Sequence, residues 1–196
     1  MGSMSLVMLL TFIVVAIIGR VIFQYRLTGD HGIRTTKSTS SGIEKISTSL
    51  IIIAFLGATV ISALFVFVGF SLDLKFDIYG QISGIILCMV GIVLTSISQI
   101  QMGENWRIGV DSKETTDLVT NGIYSVIRNP IYSGVMLFGL GLLILVPHIT
   151  MLLFIGIGYI AIELHVRKVE EPYLRKLHGK NFIDYENTTG RYAPKI

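Results

Sequence analysis

Charge is scarce in this sequence. Asp, Glu, Lys and Arg make up 15% of the 196 residues, against roughly 25% in a soluble globular domain. Hydrophobic residues reach 52%, a balance that excludes an ordinary soluble fold and points to an integral membrane protein. Cysteine is almost absent. Cys88 stands alone inside an apolar run, which excludes an internal disulfide and a cysteine-rich metal site and reads as a small buried hydrophobe. No internal repeat is evident, and that argues against a repeat-built transporter. Neither a metal nor a nucleic-acid partner is expected. The first apolar run lacks a basic leading region and a small-residue cleavage site, so it is expected to span rather than be removed. Gly2-Ser3 before Met4 reads as an expression scar, with Met4 the expected natural start.

What is present is a series of long apolar runs. About 20 apolar residues in a helix cross a bilayer core, and residues 6–23, 46–72 and 80–100 supply three such runs. A fourth, 133–146, is short, about 21 Å at 1.5 Å per residue. Pro147-His148 interrupts it and 149–166 continues. Either one long helix runs through Pro147 or the chain turns there, and charge decides between them. A turn puts loop 24–45, loop 101–132 and the tail from Arg167 on one side. With Arg20, which can snorkel from the end of the first run, that side collects all of the 16 Lys and Arg residues except Lys75. One long helix would send the basic tail to the opposite face. The positive-inside rule therefore predicts five membrane segments, the N-terminus outside and the C-terminus cytoplasmic. The expected fold is an all-α integral membrane protein with one domain over 1–196. Its last two segments form a helical hairpin, and the 101–132 loop and the C-terminal tail, 167–196, meet on the cytoplasmic side. Gly139 and Gly156, with Gly141 and Gly158 nearby, flank the turn at matching distances and suit close approach of the hairpin helices.

The hairpin would bring two polar segments together: "NGIYSVIRNPIYSG" entering the fourth run and "ELHVRKVEEPYL" leaving the fifth. Pro130 fits the first turn of a helix, and Asn129 is a competent cap before it. Arg128 is expected at the interface, and Tyr124 and Tyr132 suit an aromatic belt. Glu163, Arg167 and Glu171 are spaced four apart and share one face of a regular helix; Pro172 predicts a kink or break at Glu171. As a surface ladder such residues contribute little. An acidic residue within the hydrocarbon costs about 2.5–3.5 kcal/mol on insertion scales, so Glu163 there would need a watered cavity or a polar ligand.

"LVTNGIYSVIRNPIYSG" followed by "RKVEEPYL" resembles the isoprenylcysteine carboxyl methyltransferases and their prokaryotic relatives, a wider membrane group that includes phospholipid N-methyltransferases. The shared pattern is Gly-x-Tyr, then Arg-His-Pro-x-Tyr-x-Gly, then an arginine with a glutamate four residues on. Gly179, Phe182, Tyr185 and "RYAP" continue it, so the likeness covers roughly 100–196, while the first two spans resemble nothing specific. The resemblance implies an S-adenosylmethionine-dependent methyltransferase with the cofactor held by the cytoplasmic loop and the last hairpin. On this sequence the cofactor residues would be Thr116, Asp117, Leu118, Val119, Tyr124, Asn129, Pro130, Ile131, Tyr132 and Glu171. Arg167 would face the substrate and, with Glu171, carry the catalysis; Trp106, the sole tryptophan, would line the site or anchor at the interface. Asn129 stands where the eukaryotic enzymes carry histidine; it keeps a hydrogen-bonding side chain but does not titrate.

The implied reaction suits these residues. An arginine can fix a substrate carboxylate in bidentate fashion, and a glutamate can accept from a cofactor's amino or hydroxyl groups. A soluble methyltransferase would need a strand–glycine-loop–helix unit, and none appears. The expected partners are a lipophilic or lipidated substrate reaching the site sideways from the bilayer, and membrane lipids. The expected location is the cell membrane for a prokaryotic source and the endoplasmic reticulum membrane for a eukaryotic one. Carboxyl O-methylation of an isoprenylcysteine-like substrate is the first expectation and phospholipid or amine N-methylation the second. A small non-enzymatic membrane protein is the alternative of a different class, and the cofactor signature of NADPH-dependent sterol reductases is not evident.

Overall fold

A backbone surrounded by hydrocarbon has to satisfy its own polar groups, so the apolar runs form helices. The computed structural model describes residues 3–33, 41–69, 76–107 and 116–195. Among these the regular elements are helices: α1 (Ser3–Thr28), α2 (Gly42–Phe67), α3 (Ile78–Met102), α4 (Pro130–Leu145), α5 (Ile149–His178) and α6 (Lys180–Thr188). Within the described residues, four of them, α1, α2, α3 and α5, are long and apolar enough to cross a membrane, and α4 is a shorter apolar helix of 16 residues. The chain is a multi-pass membrane protein. Residues 70–72 of the expected second span, Lys75 and residues 108–115 of the 101–132 loop lie outside the described residues.

The helix starts follow local chemistry. Ser41 Oγ accepts the Glu44 N–H at 3.1 Å and Asp77 Oδ1 that of Gly80 at 2.9 Å, each satisfying an orphan donor. Pro130 occupies the first turn of α4, where its missing N–H costs nothing. Asn129 before it makes no capping bond; instead its backbone N–H donates to Arg191 O at 3.0 Å. At the other end of α4, the chain reverses through 146–148. His148 caps α5 by accepting the Thr150 N–H at 3.1 Å. Gly139 abuts Ile155 and Tyr132 reaches Glu170, so α4 and α5 run antiparallel.

Gly139 faces α5 as expected, and the other glycines do different work. The hairpin helices touch each other sparingly; α4 packs chiefly on α3, and α5 on α2. A Cβ on Gly91 would meet Gly134 O at 2.6 Å, and one on Gly141 would meet Cys88 N and Gly84 O at 2.7 Å. The small residues therefore bring the α3 and α4 backbones together. Gly156, expected in the hairpin seam, has nothing near it, and Gly158 faces Ala54 of α2. Matching distances from a turn do not set which faces meet; helical rotation does. Around this seam lies the core, with Phe12 stacked on Phe138 at 4.5 Å and Leu9, Cys88, Leu142 and Met151 buried.

Two helices contain wide π-helical turns, Ile13–Gly19 in α1 and Val166–Glu170 in α5. A π turn frees backbone carbonyls, and buried Gln99 of α3 donates to one of them, Ala16 O, at 3.0 Å. The second ends two residues before Pro172. The expected break at Glu171 is thus a widened turn: the helix absorbs the proline's missing donor and continues to His178. Arg20, expected to snorkel outward, is buried within the bundle end, 3% exposed.

Candidate active site

At the end of the bundle where α3 and α5 leave the apolar region, segments far apart in sequence line one cleft enclosing about 800 Å³ of empty space, part of it open to solvent. Met102 closes α3 against it, and Asn105 and Arg107 follow from the turn beyond. The 116–119 segment adds Thr116, Asp117, Leu118 and Val119. Tyr124, Arg128 and Asn129 precede α4; α5 contributes Glu170, Glu171, Tyr173 and Leu174, and α6 Phe182 and Tyr185.

Side-chain bonds hold these pieces in place. Asn105 Oδ1 accepts the Asp117 N–H at 3.0 Å. Arg107 Nη2 donates to the Tyr173 hydroxyl at 2.9 Å, with the guanidinium 5.6 Å from its ring. Gln101 Oε1 accepts the Ile123 N–H at 2.8 Å, and Gly122, at φ +58°, leaves the space that Gln101 fills. Tyr124 donates to Ser98 O at 3.2 Å, and Tyr185 donates to Tyr124 O at 2.6 Å. Burial pushes the Tyr185 hydroxyl up to about 12 and raises that of Tyr124 also, so both stay neutral donors.

Glu171 is the hub. It is 4% exposed. Arg191 reaches it from the tail in a bidentate pair, Nε to Oε1 and Nη2 to Oε2, both at 2.8 Å, and that pairing raises the Arg191 pKa. Arg128 Nη2 donates to Oε1 at 3.2 Å. The Arg128 side chain, 8% exposed, is thus turned inward rather than interfacial, and it also donates to the carbonyls of Glu186 and Thr189. The tail is strapped alongside: Gly190 N–H donates to Val126 O and Arg128 N–H to Gly190 O, at 3.1 and 2.8 Å, forming a parallel bridge between Ile127 and Gly190. A Cβ at Gly190 would collide with Ala193 O, which suits glycine there.

Arg167 goes elsewhere. It makes a bidentate pair with Glu163, at 2.9 and 2.8 Å, with its side chain 53% exposed. Tyr192 also donates to Glu163, at 3.2 Å. The shared face expected for Glu163, Arg167 and Glu171 assumed a regular helix; the π turn rotates Glu171 toward Arg128 and Arg191. A second buried line backs Glu170. Its Oε1 accepts the Tyr132 hydroxyl at 2.7 Å and lies 3.5 Å from His165 Nε2. His165 Nδ1 is 2.9 Å from Ser47 Oγ, whose own proton goes to Glu44 O, so Nδ1–H donates there.

Of the expected cofactor residues, Thr116, Asp117, Leu118, Val119, Tyr124, Asn129 and Glu171 stand on the cleft lining. Pro130 is fully buried at the start of α4, Ile131 offers its carbonyl toward Thr95, and Tyr132 reaches the cleft only through Glu170. Arg167 and Trp106 lie outside the lining. Beyond the residues expected from sequence, Asn105, Arg107, Arg128 and Glu170 line the cleft and Arg191 joins it through Glu171. Arg128 and Glu170 sit inside the quoted motifs, whereas the pairing of Arg191 with Glu171 crosses 20 positions and leaves no local pattern.

Residues 79–181 match the family model of the phospholipid methyltransferases. The match takes in α3, which the sequence motifs did not reach, and stops before Phe182. The chain is 29% identical over 115 residues to a protein-S-isoprenylcysteine O-methyltransferase of Dictyostelium discoideum, covering 56% of this chain and 48% of that protein. It is 29% identical over 132 residues to the enzyme of that name in Schizosaccharomyces pombe, covering 66% and 56%. The chain thus spans about half the length of these relatives. Its fold is similar to that of a eukaryotic intramembrane Ras methyltransferase, isoprenylcysteine carboxyl methyltransferase, with a TM-score of 0.54 at 20% identity over 91% of this chain and 62% of the other. With the family model covering more than half of its length, this chain belongs to the phospholipid methyltransferase family.

Proposed function

We propose that the protein is an S-adenosylmethionine-dependent membrane methyltransferase acting on the carboxylate of a lipophilic, isoprenylcysteine-like substrate. In this reading it has five membrane segments and its cleft and C-terminus face the cytoplasm. The observation that carries it is the cleft lined jointly by Thr116–Val119, Asn129 and Glu171, three separated stretches that the family likeness assigns to one cofactor. The residues present suit that ligand. Arg128 lines the cleft and its Nε is buried without a partner, leaving a donor for a ligand oxygen. Of the roughly four lone-pair sites on a carboxylate, the arginines occupy three on Glu171, which leaves one on Oε2 for an amino or hydroxyl group. Leu118, Val119 and Phe182 offer apolar surface for a purine.

When bound, the cofactor supplies a sulfonium methyl group whose donor departs neutral, so no general acid is needed. Alignment and exclusion of water then carry the rate. Arg167 is assigned to the substrate. It already holds one carboxylate, that of Glu163, in the bidentate geometry an incoming carboxylate would take. Exchange of Glu163 for the substrate is the binding step, with Tyr192 able to hold the released Glu163.

Amine N-methylation is the second reading, and one observation favours it. An amine has to shed a proton to attack, and Glu170 lines the cleft with buried His165 behind it, an acceptor that a carboxylate substrate would not use. Calorimetric titration of the purified protein in detergent with S-adenosylhomocysteine, followed by methyl-transfer assays on a prenylcysteine and on an ethanolamine phospholipid, tests both. Saturable binding with prenylcysteine turnover is expected. Turnover of the amine alone replaces the first reading with the second, and stabilisation by NADPH without S-adenosylhomocysteine binding overturns both.

A further inference from the structure

Arg20 is a cation buried inside α1, about two turns before the helix ends, a placement that is costly and calls for compensation. No carboxylate pairs with it among the described residues. Its Nη2 donates to Gln24 Oε1 at 2.7 Å and to the carbonyl of Gly103, while Nε and Nη1 are buried without hydrogen-bond partners. Its guanidinium lies 4.8 Å from the Trp106 ring centre and 5.2 Å from that of Phe23. Gln24, one turn on, donates to Glu104 O at 3.0 Å. The positive charge thus sits where the α3 helix ends and its last carbonyls concentrate negative potential, with an aromatic face completing the enclosure.

These contacts reach the cleft through the backbone. Trp106 is extended, φ −68° and ψ 131°, and its side chain is buried against Arg20 rather than on the cleft lining. With Trp106 under Arg20, Asn105 and Arg107 are turned to the cleft, which both line. Asn105 in turn holds the Asp117 N–H at 3.0 Å, and with it the Thr116–Val119 wall. The turn after α1 closes the far side: Gly32 lies so near that an added Cβ would meet the Trp106 ring and the Gln24 side chain at 3.2 Å. α1 lies wholly outside the family match, which begins at residue 79.

We infer that Arg20, seconded by Gln24, is a positioning residue for the cleft: it seats Trp106 and the Gly103–Asn105 turn so that Asn105 and Arg107 present the cofactor wall. A residue outside the family region thereby sets cofactor affinity without touching cofactor. The activity arm of the test rests on the methyltransferase reading; a fluorescence arm does not. Trp106 is the sole tryptophan, so its emission in full-length protein reports this seat directly. Arg20→Met is expected to raise acrylamide quenching of Trp106 at least twofold, to weaken S-adenosylhomocysteine binding about tenfold or more, and to raise KM for the methyl donor while leaving kcat at saturating donor within about twofold. Arg20→Lys, which keeps the charge over the ring, is expected to recover most of the affinity. Where Arg20→Met does not fold, Gln24→Leu, which removes the Gln24 bonds to Arg20 and to Glu104 O but keeps the guanidinium over Trp106, is expected to give the same shifts at smaller amplitude. Wild-type protein that fails to bind S-adenosylhomocysteine would remove the functional reading and leave the quenching result to stand or fall. Wild-type protein that binds, beside variants with unchanged affinity and quenching, would overturn the inference. So would a fall in kcat at unchanged KM, the mark of a mere loss of folded protein.

Discussion

Two glutamates on one helix, Glu163 and Glu171, each accept an arginine in bidentate geometry, yet their settings are opposite. Glu163 shares a helix with its partner Arg167, whose side chain is 53% exposed. Glu171 is 4% exposed and joins three segments, since Arg128 comes from the approach to α4 and Arg191 from the tail. The lesson concerns what an ion pair is for. The Glu163 pair is the cheaper to open, because its arginine is already half exposed. The Glu171 cluster cannot, because removing one member strands buried charge. A π turn between them separates a replaceable contact from a fixed one.

Deleting the carboxylate of Glu171 is the sharpest way to break that comparison, and carries the largest expected effect. Glu171→Ala strands the Arg191 guanidinium and leaves Arg128 only the Glu186 carboxylate, 3.8 Å away, and is expected to cost about 3 kcal/mol of stability, toward the lower end for buried pairs because Arg128 keeps that partner and Arg191 is partly exposed. A denaturation series in one detergent measures it. Glu171→Gln, which keeps the hydrogen-bonding shape, is expected to fold better and still weaken S-adenosylhomocysteine binding, by about 1.5–3 kcal/mol for the charge-assisted bond. A Glu171→Ala protein as stable as wild type would show that the cluster is no more fixed than the Glu163 pair.

Tyr185 extends the buried side of the comparison at smaller amplitude. Its hydroxyl donates to Tyr124 O and burial pushes its pKa up to about 12 from an ordinary 10. The folded state therefore keeps a proton that the unfolded state releases. The resulting stability is fully present below pH 10 and is lost as pH rises from 10 to 12. Tyr185→Phe is expected to cost about 1 kcal/mol at neutral pH and to make the alkaline decline shallower. Melting curves of both proteins from pH 8 to 11 check this; superimposable slopes would show that the hydroxyl titrates normally.

How legible was all this in the sequence? Apolar runs and the Pro147-His148 interruption specified the long helices and the reversal, because hydrocarbon leaves the backbone few choices. The gathering of Thr116–Val119, Tyr124, Asn129 and Glu171 was legible through motif resemblance rather than through spacing. What escaped was rotation and distance. Four-residue spacing puts Glu163 and Glu171 on one face only of a regular helix, and the π turn at Val166–Glu170 removes that regularity. Arg20 looked like an interfacial cation because nothing near it in sequence foretells Trp106, which meets it across the fold. The glycine seam belongs to α3 and α4, since which helix a glycine faces depends on the packing of the whole bundle.

Arg167 carries the smallest expected effect on stability and the largest contrast between stability and turnover. Its partner is four residues away on the same helix, and its side chain is about half exposed, so Arg167→Leu is expected to leave the melting temperature within the error of the measurement. It lies outside the cleft lining, so S-adenosylhomocysteine affinity is expected to be unchanged. Turnover of a prenylcysteine, by contrast, should be abolished if this guanidinium trades Glu163 for the substrate's carboxylate. Glu163→Gln sharpens the point: with the internal competitor neutralised, the arginine is more available, and KM for an anionic substrate is expected to fall. Methyl-transfer assays on the two variants, beside calorimetry with S-adenosylhomocysteine, separate the outcomes. Full activity in Arg167→Leu would return the pair to a surface ladder. Loss of cofactor binding there would mean that Glu163 and Glu171 are coupled through the helix after all, and that the π turn does not divide them.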